Sequence, residues 1–311
     1  MRIVRYPKNC PESAKNSVVA LGNFDGIHLG HKEVIKTAKE IASKTKKPSA
    51  VMSFEPHPIT VIRPDVKNIR ITPFREKSEL TKDLGIDVLF SIHFNKEFSE
   101  VSAKDFIEKI LIEQLSVSHV VVGYDFIFGH KRSGNIDLLK EYASKDSFGI
   151  TQVRAIETEK GEPFSSTKIR ENIKAGNIKA ATEKLGHDYV IEGIVKHGDK
   201  IGRDLGFPTA NIILKDHLRP AYGIYAAKIL VEDKWLDGVI NIGIRPSIDS
   251  QKELLEAHIF DYDGNLYGKR IKIMPLEYIS EEKKFDSLDD LKIKIEEDCQ
   301  KAREITKKRA I

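Results

Sequence analysis

The order of strand-like and helix-like stretches constrains this chain more than any other feature. In the first 185 or so residues, short apolar runs rich in β-branched residues alternate with helical patterns. The apolar residues between Val34 and Ala42, for example, recur at helical spacing. Strand-like runs fall at residues 18–21, 50–54, 87–93 and 118–122. Such alternation predicts a parallel sheet that is covered by helices on both faces.

The rhythm changes after residue 186, where strand-like stretches follow one another closely. Residues 223–231 and 235–242 flank Glu232-Asp233-Lys234 and predict a hairpin. A second hairpin is predicted at Asp263-Gly264, between residues 255–262 and 266–274. Closely spaced strands of this kind favour a small antiparallel barrel.

The chain finishes in a predicted helix. Ser287 and Asp290 have the spacing of a capping box, which marks a helix start. One apolar stripe then follows at Leu288, Leu291, Ile295, Cys299 and Ala302. With 311 residues the chain also exceeds the usual size of one hydrophobic core. We therefore predict two domains, an α/β domain over residues 1–185 and a β domain over residues 186–311.

Composition limits the classes of function. The 51 basic and 47 acidic residues give a formal net charge of +4, and the lysines are dispersed rather than gathered into a basic stripe. We therefore expect no nucleic-acid partner. The apolar runs are too short to cross a bilayer and the first residues lack a signal-peptide pattern, so we expect no membrane partner. Cys10 and Cys299 show neither metal-ligand spacing nor a disulfide framework, which favours a cytoplasmic location. The sequence leaves the oligomeric state open.

The stretch Gly22–His31 lies between the first predicted strand and the first predicted helix. A glycine-rich turn there exposes backbone N–H groups, and the helix start adds partial positive charge, so the geometry suits a polyphosphate. His28 and His31 share one face of the first turn and can both donate hydrogen bonds to phosphate oxygens. Gly26 and Gly30 lack a Cβ and let a nucleotide approach the backbone.

Other interpretations of this stretch are a metal site and ordinary surface histidines. No acidic or cysteine partner is placed around the two histidines, and three glycines in a strand-to-helix turn disfavour the second interpretation. The stretch is neither a Walker A loop nor a dinucleotide-binding glycine motif.

Four further stretches accompany this turn in the N-terminal half. They are Phe54-Glu55-Pro56-His57-Pro58, Thr72-Pro73 with Glu76-Lys77, Gly123–Gly129 with Arg132-Ser133-Gly134, and Ser165-Ser166-Thr167-Lys168-Ile169-Arg170. Together they resemble the FAD synthetases of the nucleotidylyltransferase superfamily, whose signature is H-x-G-H. Glu55 departs from the family, which has Asp at that position. The resemblance implies a Rossmann-like nucleotidylyltransferase domain.

The resemblance also implies roles for these residues. Phe126 and Phe128 could offer faces to an isoalloxazine ring, although two Phe after an apolar strand are more often core. Asp125 is interpreted either as a substrate contact or as a turn cap. Hydroxyls at a helix start serve as N-caps or, with Arg170 one turn further on, as an anion site for ATP phosphates.

A long glycine-spaced stretch, Gly193–Asn211, stands out in the C-terminal half. Lys200 and Arg203 within it could fold over phosphates. Thr209 and Asn211 lie two apart, so in an extended segment both side chains face the same way and could complete the coordination of Mg²⁺ held by ATP. Taken alone, the Pro-Thr-Ala-Asn sequence could equally be a simple turn.

The whole stretch resembles the riboflavin kinase pattern G-x-x-x-G-R-x-L-G-F-P-T-A-N. The resemblance continues in order through Tyr222–Tyr225, Gly238–Ser247 and Leu266–Lys269. Glu256 falls where the family has its catalytic carboxylate. Ser280 departs from the family, which commonly has Arg there, so a flavin or phosphate contact from that position is in doubt.

Both resemblances together imply a bifunctional riboflavin kinase/FAD synthetase that uses ATP with Mg²⁺ and handles riboflavin, FMN and FAD. The implied catalytic residues are Glu256 in the kinase and His28, His31 and Arg170 in the adenylyltransferase. The implied ATP contacts of the adenylyltransferase are Gly22, Asn23, Phe24, Gly30, Ser165, Ser166 and Thr167, and its flavin contacts are Asp125, Phe126 and Phe128. The implied ATP contacts of the kinase are Gly198, Lys200, Gly202, Arg203 and Gly206, and its metal ligands are Thr209 and Asn211.

Two other hypotheses stay open at this point. The first is an FAD synthetase whose kinase domain is impaired. The second is a nucleotide- or RNA-binding module that kept a nucleotidyltransferase-like fold, against which the dispersed lysines and the two sets of catalytic residues argue.

Overall fold

The computed structural model describes residues 1–145, 148–158, 161–198, 201–246, 251–283, 285 and 287–309. Contacts within the chain divide it into two compact units, Met1–Ser166 and Thr167–Ile311. The predicted domain limit at residue 185 remains a prediction.

The first unit contains a parallel sheet of six strands in the order β1-β4-β3-β2-β5-β6. Its strands are β1 Arg2–Val4, β2 Val18–Leu21, β3 Ser49–Glu55, β4 Val88–His93, β5 His119–Gly123 and β6 Gly149–Val153. The four strands expected from apolar runs form the centre of the sheet. The edge strands β1 and β6 lack such runs, and the sequence analysis did not find them.

Helices connect these strands. They are α1 Leu29–Thr45, α2 Pro58–Ile62, α3 Phe74–Asp83, α4 Lys96–Ser99, α5 Ala103–Asp105 with a π-helical continuation Phe106–Gln114, and α6 Ile136–Ala143. Short 3₁₀ turns lie at Pro7–Asn9, Glu12–Ala14 and His130–Arg132.

Alternate residues of β2 belong to two separate hydrophobic clusters. Val19 and Leu21 pack with the apolar side of Phe106–Gln114, whereas Val18 and Ala20 pack with α1. Successive strand residues point to opposite faces of a sheet, so both faces are covered. The predicted α/β architecture is confirmed.

The second unit is a closed barrel with the strand order β10-β11-β8-β7-β12-β9, in which every pairing is antiparallel. Its strands are β7 Ile191–Lys196, β8 Ala210–Ile213, β9 Gly223–Val231, β10 Lys234–Pro246, β11 Gln251–Ile259 and β12 Arg270–Ser280. Its helices are α7 Ser166–Lys174, which starts at the last residue of the first unit, α8 Ile178–Leu185, α9 Ile201–Asp204 and α10 Leu288–Lys307. The predicted barrel with its terminal helix is confirmed.

One of the two predicted hairpins is wrong. The turn at Glu232-Asp233-Lys234 joins the paired strands β9 and β10, as expected. The segment with Asp263-Gly264, however, joins β11 and β12, and these strands are not neighbours, because β8 and β7 lie between them. A turn signal reports a local reversal of the chain, whereas closure of the barrel decides which strands pair.

The last helix begins as the capping pattern predicts, since Ser287 Oγ accepts a hydrogen bond from Asp290 N at 3.1 Å. Cys299 and Ala302 are buried against the barrel, but Leu288 is 65% exposed, so the apolar stripe starts at Leu291 instead. Over the part of the chain that the structure describes, we find no helix with the length and apolar character needed to span a bilayer.

Candidate functional sites

The turn after β2 places two histidines at the start of α1. His28 is the N-cap residue, and its Nδ1 accepts a hydrogen bond from His31 N at 3.3 Å. Because Nδ1 is the acceptor, the proton of a neutral His28 ring is on Nε2. The two imidazole rings stack with centroids 3.6 Å apart and planes 19° apart. The predicted pairing of His28 and His31 on one face is therefore present.

Buried groups hold these rings in place. Phe24, 2% exposed, lies edge-on to His31 with ring centroids 5.3 Å apart. A Cβ on Gly30 would lie 3.2 Å from the His28 ring, and one on Gly22 would lie 3.1 Å from the Phe24 ring. Both glycines thus make room for aromatic rings of the protein itself. The predicted ATP contacts of Gly22, Asn23, Phe24 and Gly30 remain predictions.

The segment before α3 braces the same turn. Asp25, 2% exposed, accepts backbone hydrogen bonds from Ile71 and Thr72 at 3.1 Å each. Thr72 Oγ1 in turn accepts a hydrogen bond from Gly26 N at 2.9 Å. Gly26 has a φ of 89°, a conformation that L side chains rarely adopt. No role of Asp25 was predicted from the sequence, because its partners lie more than forty residues away in the chain.

A buried ion cluster adds a second brace. Lys77 Nζ donates to Asn23 O at 3.0 Å and pairs with Glu55 Oε1 at 3.1 Å. Arg70 pairs with the other oxygen of Glu55. The Lys77 side chain is 2% exposed, so the turn is attached to the sheet through desolvated charges.

The predicted flavin contacts lie on the loop after β5. Asp125 is exposed, Phe126 is half-buried, and Phe128 is 8% exposed and packs in the core. The rings of Phe126 and Phe128 stack with centroids 5.5 Å apart. Phe128 therefore supports Phe126 from the core. The contacts of these three residues with a flavin remain predictions.

The hydroxyl-rich segment starts α7, as predicted from its composition. Ser166 Oγ donates to Asp25 O at 2.9 Å, which ties this helix start to the histidine turn. Ser165 precedes the helix. Thr167 and Arg170 lie on the same helix, beyond the last residue of the first unit. The assignment of these four residues to ATP remains a prediction.

Three polar side chains lie side by side on three neighbouring strands of the barrel. In the register of β8, β11 and β10, Glu256 is paired with Asn211 on one side and with Asn241 on the other. Directly paired residues of antiparallel strands point to the same face of the sheet. Glu256 is therefore flanked by two carboxamides, and Asn241 is a candidate site residue that was not predicted from the sequence.

The Asn211 side chain is 5% exposed, and its Oδ1 has no hydrogen-bond partner among the described residues. A Cβ on Gly198 would lie 2.4 Å from Asn211 Nδ2, and one on Gly202 would lie 3.5 Å from Thr209 Oγ1. The two predicted metal ligands thus lie beneath the predicted phosphate loop. Among the described residues no group of three or more His, Cys, Asp or Glu is placed to hold a metal ion.

Two cavities open beside these residues. The barrel–helix cavity, about 260 Å³, contains Glu256 and Asn241 and has apolar walls formed by Leu205, Phe207, Ile224, Val239, Leu291 and Ile295. The loop cavity, about 340 Å³, is lined by Arg203, Asp263, Asn265 and Tyr267, among others. Thr209 lines both cavities. Gly206 is exposed with a φ of 90°, and Lys200 lies outside the described residues.

Ser280, which departs from the kinase pattern, contacts a buried ion pair. Its Oγ donates to Asp298 Oδ2 at 3.1 Å, and Lys294 Nζ lies 2.7 Å from Asp298 Oδ1. Lys294 and Asp298 both line the barrel–helix cavity. A spacing of four residues on one helix face could have indicated this pair in the sequence.

Sequence models of two families match the two halves in order. The FAD synthetase model matches residues 10–168 and the riboflavin kinase model matches residues 185–306. The bifunctional riboflavin kinase/FMN adenylyltransferase of Buchnera aphidicola is 41% identical, with 96% of each chain covered. The enzyme of the same name from Escherichia coli is 36% identical over 98% of this chain and 97% of that one. The chain belongs to this bifunctional family.

A solved structure shares the whole architecture. The crystal structure named for a macrolide-efflux protein from Streptococcus pneumoniae covers 99% of both chains with a TM-score of 0.85 and 30% sequence identity. Its name concerns efflux, whereas both domain matches concern flavin enzymes. The family assignment depends on the domain matches and the full-length relatives.

Proposed function

We propose that this chain converts riboflavin to FMN with ATP at the barrel and then transfers AMP from ATP to FMN in the first unit, giving FAD and pyrophosphate. The two domain matches and the relatives that cover nearly the whole chain support both activities. The observation that carries the kinase assignment is the row Asn211, Glu256 and Asn241 beside a cavity with apolar walls.

In the kinase, the barrel–helix cavity suits the apolar faces of an isoalloxazine ring, and the loop cavity with Arg203 suits ATP. Thr209 lines both, so the two substrates would meet beside it. Glu256 acts there as the base that accepts the proton of the ribityl 5′-hydroxyl while its oxygen attacks the γ-phosphorus in line. ADP leaves, and the bond formed is the phosphate ester of FMN.

The donor set of the barrel fits Mg²⁺. Asn211 Oδ1 is a buried acceptor without a hydrogen-bond partner among the described residues, and neutral oxygens are ligands that Mg²⁺ takes beside phosphates. Thr209 and Asn211 would hold the ion. When bound, Mg²⁺ neutralises charge on the transferring phosphoryl group.

In the adenylyltransferase, the FMN phosphate is itself the nucleophile and is ionised near neutral pH, so no strong base is needed. Its oxygen forms a bond to the α-phosphorus of ATP as the bond to pyrophosphate breaks. The task is to position two polyanions and to screen their repulsion. His28 and His31 at the start of α1 supply hydrogen-bond donors and lie at the positive end of the helix. We assign Ser165, Ser166, Thr167 and Arg170 to the same triphosphate, and Asp125 with Phe126 to the flavin.

We also propose a cytoplasmic location. Cys10 and Cys299 are free thiols in the structure, which suits a reducing compartment.

Chromatography of flavin products over time tests the proposal. Riboflavin with MgATP should give transient FMN and then FAD. Glu256→Gln, which keeps the shape of the side chain, should lower FMN formation at least about 100-fold while FAD formation from FMN persists. His28→Asn with His31→Asn should have the opposite effect. Each variant is thus the control for the other.

Three results would contradict the proposal. Wild-type protein that makes FAD from FMN but no FMN from riboflavin would leave an FAD synthetase with an impaired kinase. Loss of both products in either variant, with the fold intact, would contradict separate sites. Calorimetry that shows RNA binding without flavin binding would favour a binding module.

A further inference from the structure

The barrel–helix cavity contains a charged pair that the kinase chemistry described above does not use. Asp298 is 5% exposed, and both of its oxygens accept from protein donors, Oδ1 from Lys294 at 2.7 Å and Oδ2 from Ser280 at 3.1 Å. Lys294 retains 22% side-chain exposure. Both residues of the pair line the cavity together with Glu256.

The pair lies on the face of α10 that faces the cavity. Leu291, Lys294, Ile295 and Asp298 are spaced by three or four residues, and all four line the cavity. A buried ion pair in an apolar wall is costly, because both charges lose their hydration. Two apolar side chains would form this wall of the cavity at a lower free-energy cost. The presence of the charged pair therefore indicates that it contacts a polar group of the ligand.

The barrel register separates this pair from the phosphorylation point. Starting from Glu256 on β11, paired residues lead through Asn241 on β10 and Ile224 on β9 to Ser280 on β12. Three strand spacings amount to about 14 Å measured along the sheet. Riboflavin is elongated, with its reacting hydroxyl at the end of a five-carbon chain and its polar imide edge on the three-ring system. With the hydroxyl at Glu256, the ring extends toward α10.

The pair offers a donor and an acceptor side by side. Lys294 has three N–H donors, of which Asp298 takes one, and each oxygen of Asp298 has lone pairs beyond the donor it already accepts. The flavin imide edge presents a carbonyl acceptor next to an N–H donor. We propose that Lys294 donates to an imide carbonyl and Asp298 accepts from the imide N–H, with Ser280 positioning Asp298. This inference rests on the proposed kinase function.

A substrate pair tests the contact directly. Methylation of the imide nitrogen in 3-methylriboflavin removes the N–H and leaves the ribityl chain intact. For the wild-type enzyme we expect a KM at least about tenfold higher for 3-methylriboflavin than for riboflavin, since one charge-assisted hydrogen bond is lost. The value of kcat should stay within about twofold, because the reacting hydroxyl is unchanged.

Variants of the pair provide the second arm. Lys294→Met should raise the KM for riboflavin about tenfold with little change in kcat, and Lys294→Arg should restore it. The matched control is Lys292→Met, on the exposed side of the same helix, which should behave as wild type. The double variant Lys294→Met with Asp298→Leu removes both buried charges and the oxygens that could accept from the imide N–H, and it keeps the test open if Lys294→Met alone fails to fold. It should no longer discriminate between riboflavin and its 3-methyl derivative.

The possible results distinguish a failure of the proposed kinase function from a failure of the proposed imide contact. A wild-type protein that makes no FMN from riboflavin contradicts the proposed kinase. A protein that makes FMN with equal KM for riboflavin and 3-methylriboflavin contradicts only the imide contact. A purely structural role of the pair would change thermal unfolding in the double variant but leave the KM ratio of the two substrates unchanged.

Discussion

In the first unit, the buried ion pair of Lys77 with Glu55 allows one substitution to test both the stability of the fold and the position of the histidine turn. Lys77→Met keeps a long unbranched side chain but removes the ammonium, and with it the bonds to Glu55 Oε1 at 3.1 Å and Asn23 O at 3.0 Å. Breaking a buried pair costs about 3–5 kcal/mol. Arg70 still pairs with Glu55, which favours the lower end. We expect the free energy of unfolding of this unit to fall by about 3 kcal/mol, out of a typical 5–15 kcal/mol.

The same change should affect one activity only. Without Lys77 the backbone at Asn23 loses its anchor, and the histidine turn becomes less well positioned, so FAD formation from FMN should fall at least about tenfold. FMN formation from riboflavin should not change. Urea denaturation followed by circular dichroism measures stability, and product chromatography measures both activities. Lys82→Met, exposed on the same helix α3, is the matched control.

Two results would refute this reasoning. If Lys77→Met unfolds within about 0.5 kcal/mol of wild type, a value typical of surface substitutions, the ion pair does not hold the turn. If stability falls as expected but FAD formation persists, the turn is not the phosphate site.

Three further predictions concern single residues. Gly30→Ala should lower FAD formation about tenfold without loss of stability, because the added methyl displaces the His28 ring while alanine favours the helix; activity and thermal unfolding measure the two effects. Asn211→Leu should raise the Mg²⁺ concentration needed for FMN formation while the barrel stays as stable or becomes more so, because the substitution removes a buried oxygen that has no partner in the described part of the chain; a Mg²⁺ titration and a urea titration check this. Burial lowers the pKa of His258 from its usual 6.5, so folding favours its neutral form. The contribution of neutral His258 to stability is full above pH 6.5 and is lost as the pH falls toward the lowered pKa. His258→Gln should therefore reduce the loss of barrel stability between pH 7 and pH 5. The fluorescence of Trp235 in β10 would monitor the unfolding.

Local patterns predicted the parts of the structure that depend on neighbours in sequence. The spacing of His28 and His31 was sufficient to predict a shared face, because residues three positions apart lie next to each other on the surface of a helix. The cap at Ser287 followed in the same way. Failures came where the partner is distant in sequence. The Asp263-Gly264 turn could not reveal that two other strands lie between its flanking strands.

The same difference between local and distant partners applies to the residues of the candidate sites. Strand periodicity predicted that Thr209 and Asn211 face the same way, and in the structure Asn211 lies close to Gly198 and Thr209 close to Gly202. The neighbours of Glu256 could not be predicted in this way, because Asn241 and Asn211 reach it only through the register of three strands. Asp25 was missed for a related reason. A carboxylate in a turn that is proposed to bind phosphate can be explained only once its backbone donors are known.

The proposed phosphate sites of the two units differ in the groups that they present, and this difference predicts where metal dependence is greatest. In the first unit a helix of seventeen residues begins at the histidine turn, so in the proposed site backbone N–H groups and the positive end of the helix would face the anion. In the barrel Arg203 lines the loop cavity, but the adjoining row of side chains presents acceptors, namely the carboxylate of Glu256 and the carbonyl oxygen of Asn211. The short helix α9 has only four residues and adds little dipole. Acceptors facing phosphate oxygens repel them unless a cation lies between. We therefore expect the proposed kinase reaction to depend more strongly on a bound cation than the adenylyl transfer, whose proposed site carries much of its positive potential in the backbone.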